Sequence, residues 1–262
     1  MTSTSPAPKP LAGWRVLVPR GGPWGDSVAA DLRAKGASPV VAAMINFAPT
    51  ADAPALEAAL ARLAAGGFDW VTVTSATTVD VLSAARAVVP PTTRIAAVGE
   101  TTAAALAAAG YSVDLVPAED NSARGLLEEW EAATGGAVPL RILTLRSEIA
   151  KPLLTEGLRR IGHHVESVVA YRTVGIPVPE NIVADVRDGL VQAILVTSGS
   201  VAEQVQVQLG PIPETTLVAA IGPQTARDAR EYGLRVDVVA EERTAASLID
   251  AVAAAAGRAN AS

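Results

Sequence analysis

Short apolar runs recur along the chain, each followed by a small hydroxylated or glycyl turn and then by a longer stretch of helical spacing. Residues 16–18, 71–74, 95–98, 142–145, 193–196 and 217–221 are such runs, built mostly of Val, Ile and Leu. They are mostly apolar, with Thr the one polar residue type among them, which fits strands buried on both faces. Two more strands are predicted over 113–116 and 236–239. Helices are predicted over 26–35, 55–65, 123–133, 152–161 and 245–256, and glycines stand at several of their ends, among them Gly36, Gly66 and Gly162. Strand alternating with helix predicts parallel sheets flanked by helices on both faces, an α/β fold.

The pattern occurs twice. Thr74-Ser75 maps onto Thr197-Ser198, Gly99 onto Gly222, Gly110 onto Gly233 and Val113-Asp114 onto Val236-Asp237, each displaced by 123 positions. RVLVPR at 15–20 matches RILTLR at 141–146, and Gly36 matches Gly162, each displaced by 126. A repeat on this scale means two structural units rather than a solenoid. Residues 39–47 (PVVAAMINF) and 164–174 (HVESVVAYRTV) are extended segments in similar positions within their units, and they are candidates for a two-stranded connection between lobes.

Composition narrows the classes. Half of the 262 residues are hydrophobic and 18% are charged, enough to build a core in both units. The net charge of -6 argues against a nucleic-acid partner and against a basic membrane-surface protein. With no cysteine, disulfide and thiolate chemistry are excluded; the histidines are His163 and His164 only. No apolar run reaches the roughly 20 residues that a membrane span needs. Residues 1–11, rich in Ser, Thr and Pro, lack the apolar segment of a secretory signal and read as a disordered tail on a cytoplasmic protein.

Phosphate-loop, dinucleotide, zinc-protease and nucleophile-elbow motifs are all missing, so a nucleotide-binding reading is disfavoured. Gly21-Gly22-Pro23-Trp24-Gly25 is a turn before a helix; it suits an anion or is a plain connecting loop. His163 and His164 lie just past a helix stop and read as surface or structural residues. The Thr74-Ser75 and Thr197-Ser198-Gly199-Ser200 turns would cap the helices they open. Both lie at carboxyl ends of strands, and each is followed by a second such turn, Gly99 to Thr102 and Gly222 to Thr225, so each unit presents a rim of backbone N–H and hydroxyl donors. Two such rims facing one another make a cleft suited to a ligand with many carboxylates. Tyr171, on one extended segment, either turns its hydroxyl toward such a cleft or serves as a good strand former.

These residues resemble the uroporphyrinogen-III synthase family. The order of motifs carries the likeness: VLVPR, VTVTSATTV, AAVGETTAAAL, LTLRSE, HVESVVAYRTV, ILVTSGSV, AAIGPQTARDAREYG and TAASLIDAV, from Val16 to about Val252. The resemblance implies two similar α/β lobes of flavodoxin-like or Rossmann-like type, joined by a two-stranded β linker. It places 12–38 with 176–262 in lobe 1, 50–163 in lobe 2, and 39–49 and 164–175 in the linker.

It implies further that hydroxymethylbilane is cyclised to uroporphyrinogen III, with loss of water and inversion of the last ring, in the cleft and without metal or other cofactor. Tyr171 is then the candidate acid. The substrate-binding candidates are Arg20, Thr74, Ser75, Thr101, Arg146, Thr197, Ser198, Gly199, Ser200 and Thr225. Thr77 departs from the family, which often has Asn there. A monomer, with transient contact to the preceding enzyme of the pathway, is implied as well. The alternative is a non-catalytic two-lobe sensor that binds an anionic metabolite on the same fold.

Overall fold

The computed structural model describes residues 9–259, so most of the predicted N-terminal tail lies outside the described residues. The chain begins with β1 (Arg15–Val18), α1 (Gly22–Ala34), β2 (Ser38–Val41) and β3 (Ile45–Pro49). It continues through α2 (Ala53–Ala64), β4 (Trp70–Val73), α3 (Ala76–Ala84), β5 (Arg94–Ala97), α4 (Glu100–Ala108), α5 (Ala123–Thr134), β6 (Arg141–Ser147) and α6 (Leu153–Ile161). After the long β7 (His164–Gly175) come α7 (Glu180–Arg187), β8 (Ala193–Val196), α8 (Gly199–Leu209), β9 (Leu217–Ala220), α9 (Pro223–Glu231), β10 (Val238–Val239) and α10 (Ala245–Ala259).

Two compact units result. The first runs to Asn46 and resumes at Val174; the second is Phe47–Thr173. The first sheet has the order β10-β9-β8-β1-β2, every neighbouring pair parallel. The second has the order β3-β7-β6-β4-β5, with β7, β6, β4 and β5 parallel to one another. The segments expected to link the units are strands of these sheets: β2 pairs along β1, and β7 along β6.

The inner strands feed two cores, because successive side chains leave a strand on opposite faces. In β8, Ala193 and Leu195 join one cluster with Val16 and Val18, while Ile194 and Val196 join another with Leu17. In the second unit, Val71, Val73, Leu143 and Leu145 pack on one face, and Trp70 and Ile142 on the other. This double burial is why the strands are continuous apolar runs.

The repeat extends to single hydrogen bonds. Thr93 donates through Oγ1 to the Phe68 carbonyl (2.6 Å) and Thr216 to the Val191 carbonyl (2.7 Å). Asp114 accepts from the Ile95 N–H and Asp237 from the Val218 N–H, both at 2.8 Å. Arg141 N–H donates to Asp69 and Arg15 N–H to Gln192, again at 2.8 Å. In each case the second copy stands at the predicted displacement.

The predicted strand at 113–116 is not formed as one: Leu115 makes a single bridge to Ala96. Pro117, which has no N–H, follows at once, where its counterpart Ala240 donates to the Ala220 carbonyl. The extended stretch 39–47 is broken at 42–44 into β2 and β3.

Candidate functional site

Parallel strands bring their carboxyl ends to one edge of each sheet, and the predicted turns stand there. In the second unit β4 ends at Thr74-Ser75. Ser75 has extended backbone, and its Oγ accepts from the Thr78 N–H (3.2 Å), capping α3. The same hydroxyl lies 3.0 Å from the Tyr171 hydroxyl and 3.1 Å from Thr78 Oγ1. Tyr171 is 7% exposed, with its ring in the apolar cluster beside Val168 and Ala170, and it meets Phe47 edge-on with centroids 5.3 Å apart. The ring therefore packs as a strand residue, while its oxygen reaches the polar rim. One side of Tyr171 also lines a largely apolar groove of about 450 Å³ with Phe47, Pro49, Leu56, Thr77 and Val81.

The other predicted contacts in this unit differ in availability. Thr74 Oγ1 donates to the Leu145 carbonyl at 3.4 Å. Arg146, at the end of β6, is committed to its own surroundings: Nε donates to Ser167 Oγ (3.0 Å), and Nη1 to the carbonyls of Ser147 (3.0 Å) and Glu148 (3.2 Å). Thr101 is exposed on the first turn of α4, whereas its neighbour Thr102 is buried.

In the first unit Ser198 repeats the role of Ser75. Its Oγ accepts from the Val201 N–H (3.3 Å) at the start of α8, and it lies 3.0 Å from Ser200 Oγ. Thr197 is buried, and its hydroxyl has no hydrogen-bond partner among the described residues. Ser198, Gly199 and Thr225 line one small cavity of about 200 Å³ together with Gly222, Gln224, Asp228 and Arg243. Thr225 is the counterpart of the buried Thr102, not of Thr101. Arg20 follows β1 and is half-buried; its guanidinium lies over the Trp24 ring, 5.0 Å from the centroid. Burial lowers its pKa from the ordinary arginine value.

Sequence reasoning missed Arg243 because nothing in its neighbourhood marks a turn facing the site. The 123-residue displacement was the available signal, since it leads from Gly99 to Gly222 and so to whatever covers each glycine.

The remaining singled-out residues are structural. His163 is buried and accepts the indole N–H of the fully buried Trp130 through Nε2 (2.8 Å), while His164 begins β7 exposed. Burial lowers the His163 pKa. Tyr111 donates its hydroxyl to the Ala87 carbonyl at 2.9 Å, and burial raises its pKa.

Against known proteins, the family model described as uroporphyrinogen-III synthase HemD matches residues 26–250. The chain belongs to the uroporphyrinogen-III synthase family. That family's members are cyclising lyases of haem and porphyrin biosynthesis, so the protein is an enzyme and the sensor reading is not favoured. It is 29% identical to the uroporphyrinogen-III synthase of Synechococcus elongatus, over 94% of this chain and 97% of that one. Among solved structures, a mutant uroporphyrinogen-III synthase from Thermus thermophilus is similar in fold (TM-score 0.64, 20% identity, 94% of this chain and 99% of that one). So is the uroporphyrinogen-III synthetase of Helicobacter pylori (TM-score 0.62, 15% identity, 92% and 99%). No helix among the described residues is long and apolar enough to cross a membrane.

Proposed function

We propose that this uroporphyrinogen-III synthase family member converts hydroxymethylbilane to uroporphyrinogen III, with Tyr171 as the acid for water loss. The observation that carries the reading is the Tyr171 hydroxyl 3.0 Å from Ser75 Oγ, on the serine that caps α3. A phenol that gives up a proton leaves a phenolate. The Ser75 hydroxyl, at the N-terminus of α3, is placed to donate a hydrogen bond to it.

The chemistry follows from electron demand. Tyr171 protonates the hydroxyl of the hydroxymethyl carbon, the C–O bond breaks with help from the pyrrole nitrogen, and water leaves. The electron-poor azafulvene so formed is attacked by the substituted α-carbon of the last pyrrole, giving a spiro intermediate. Fragmentation breaks the bond from that carbon to its former bridge, and reclosure at the ring's other α-carbon inverts the ring. The proton lost on rearomatisation restores the phenol. The remaining contribution of the protein is to hold the chain ends close and to keep the reactive azafulvene from water. Thr74, Ser75 and Thr101 on one rim, and Thr197, Ser198, Gly199, Ser200 and Thr225 on the other, are proposed to bind the substrate's carboxylates and pyrrole backbone. Arg20 is proposed as a further carboxylate partner; its guanidinium rests on an aromatic face rather than on an acidic side chain, which supports that role. Arg146 is proposed to act through the Ser147 and Glu148 backbone that it holds rather than by direct contact.

The test is to mix the purified protein with hydroxymethylbilane and identify the macrocycle. The type III isomer forming faster than the spontaneous type I isomer is the expected result; type I alone, at the uncatalysed rate, overturns the proposal.

A further inference from the structure

The two copies of the repeat share their framework hydrogen bonds, so a difference at their rims is a specialisation rather than drift in the fold. After β5 the side chain over Gly99 is Asn121, with its Cβ 3.3 Å from where a β-carbon would stand on that glycine. Asn121 Oδ1 accepts the Glu100 N–H at 3.3 Å, and the Glu100 carboxylate occupies the first turn of α4. That turn supplies its own acceptor and its own negative charge.

After β9 the side chain over the matching Gly222 is Arg243, with Cγ 3.8 Å from where a β-carbon would stand on that glycine. The residue matching Glu100 is Pro223, which has no N–H to be satisfied, and no acidic residue stands in the first turn of α9. Among the described residues nothing forms an ion pair or hydrogen bond with Arg243, although it lines the cavity of about 200 Å³ with Ser198, Gln224, Thr225 and Asp228. The carboxylate of that cavity is engaged: Asp228 Oδ1 accepts from Gln224 Nε2 at 2.7 Å. A cavity of this size accommodates a carboxylate side arm and not a tetrapyrrole.

We infer that Arg243 is a specificity-determining residue that holds one carboxylate of the substrate in this cavity, so that the first unit carries a cationic rim and the second the tyrosine. This deepens the functional reading above and rests on it. A guanidinium grips a carboxylate with two parallel N–H donors, and an ammonium grips it as a point charge.

The test compares the full chain with Arg243→Asn, which installs the residue of the other copy, and with Arg243→Lys. Initial rates on hydroxymethylbilane are measured alongside binding of uroporphyrin III, the oxidised octacarboxylate of the product skeleton, followed by tryptophan fluorescence. Arg243→Asn is expected to raise KM and the uroporphyrin Kd about tenfold with kcat within about twofold, the scale of one charged hydrogen bond. Its kcat/KM should also depend less steeply on salt than that of the unaltered protein. Arg243→Lys is expected to recover most of the loss. Equal uroporphyrin affinity in the unaltered protein and in Arg243→Asn overturns the inference, whatever the activity. An unaltered protein that makes no type III isomer, yet loses uroporphyrin binding on Arg243→Asn, overturns the cyclase reading and leaves Arg243 as a carboxylate anchor.

Discussion

Replacing Tyr171 by Phe removes one oxygen and leaves the ring where it packs. The ring keeps its edge contact with Phe47 and its place in the apolar cluster, so the folding cost is the single bond to Ser75, about 1 kcal/mol. The catalytic cost is much larger if the phenol supplies the proton, roughly 10²- to 10⁴-fold in kcat. Ser75→Ala probes the same step from behind. It removes a donor to the phenolate, a charged hydrogen bond of about 1.5–3 kcal/mol, which corresponds to roughly a ten- to hundredfold loss in kcat. It also removes the α3 cap, at about 1 kcal/mol of stability.

The decisive variant is the double one. If Ser75 acts through the Tyr171 oxygen, the loss of kcat in Tyr171→Phe/Ser75→Ala equals that of Tyr171→Phe alone. The assay is initial-rate cyclisation with separation of type I and type III isomers, alongside thermal melts that report folding. A Tyr171→Phe enzyme with unchanged kcat removes the residue from the acid role. A double variant whose loss is the product of the single losses shows that Ser75 works on the substrate directly.

Three further outcomes are expected. The His163 ring accepts the Trp130 N–H and sits buried, so its charged form is disfavoured in the folded state. Between its lowered folded pKa and the unfolded value near 6.5 the unfolded chain binds more protons, so stability is full above that value and falls as pH drops through the window; urea titrations from about pH 5 to 7.5 should show a slope that His163→Gln flattens. Thr72 and Thr144 face one another in register on β4 and β6 with both hydroxyls buried and unpaired, so Thr72→Val and Thr144→Val should each raise stability by about 1 kcal/mol in denaturant melts. A β-carbon on Gly25 would stand 2.2 Å from the Arg20 carbonyl oxygen, so Gly25→Ala should cost about 2 kcal/mol or more and weaken substrate binding by displacing Arg20, read as a higher KM and a lower Tm.

Much of this fold was legible because doubly buried strands leave a continuous apolar trace. Residues 193–196 and 217–221 showed it, and the Ser75 and Ser198 caps followed from helix-start chemistry. Residues 113–116 carried a similar trace without forming a strand, since Pro117 has no N–H where its counterpart Ala240 donates to the Ala220 carbonyl. At the site the sequence displayed residue types but not their commitments. Arg20 and Arg146 follow matching strands, yet one lies against Trp24 and the other is bound to three oxygens of neighbouring residues. The Tyr171–Ser75 contact joins residues 96 positions apart, beyond the reach of any local pattern. Trp130 and His163 form a pair for the same reason: a buried indole needs an acceptor, and which one it finds depends on the packing of α5 against the start of β7.

The threading of the chain sets an order of assembly. The second unit is one uninterrupted stretch, so all of it is synthesised before β8. Strand β1 is synthesised before the whole of the second unit and its inner neighbour β8 after it, the Arg15 N–H meeting Gln192 across 177 positions. In a nascent chain β1 and β2 therefore wait, through the synthesis of the whole second unit, for the strand at the centre of their sheet. In that interval the bare flank of β1 is the place where a chaperone, or a second nascent chain, would find an unpaired strand.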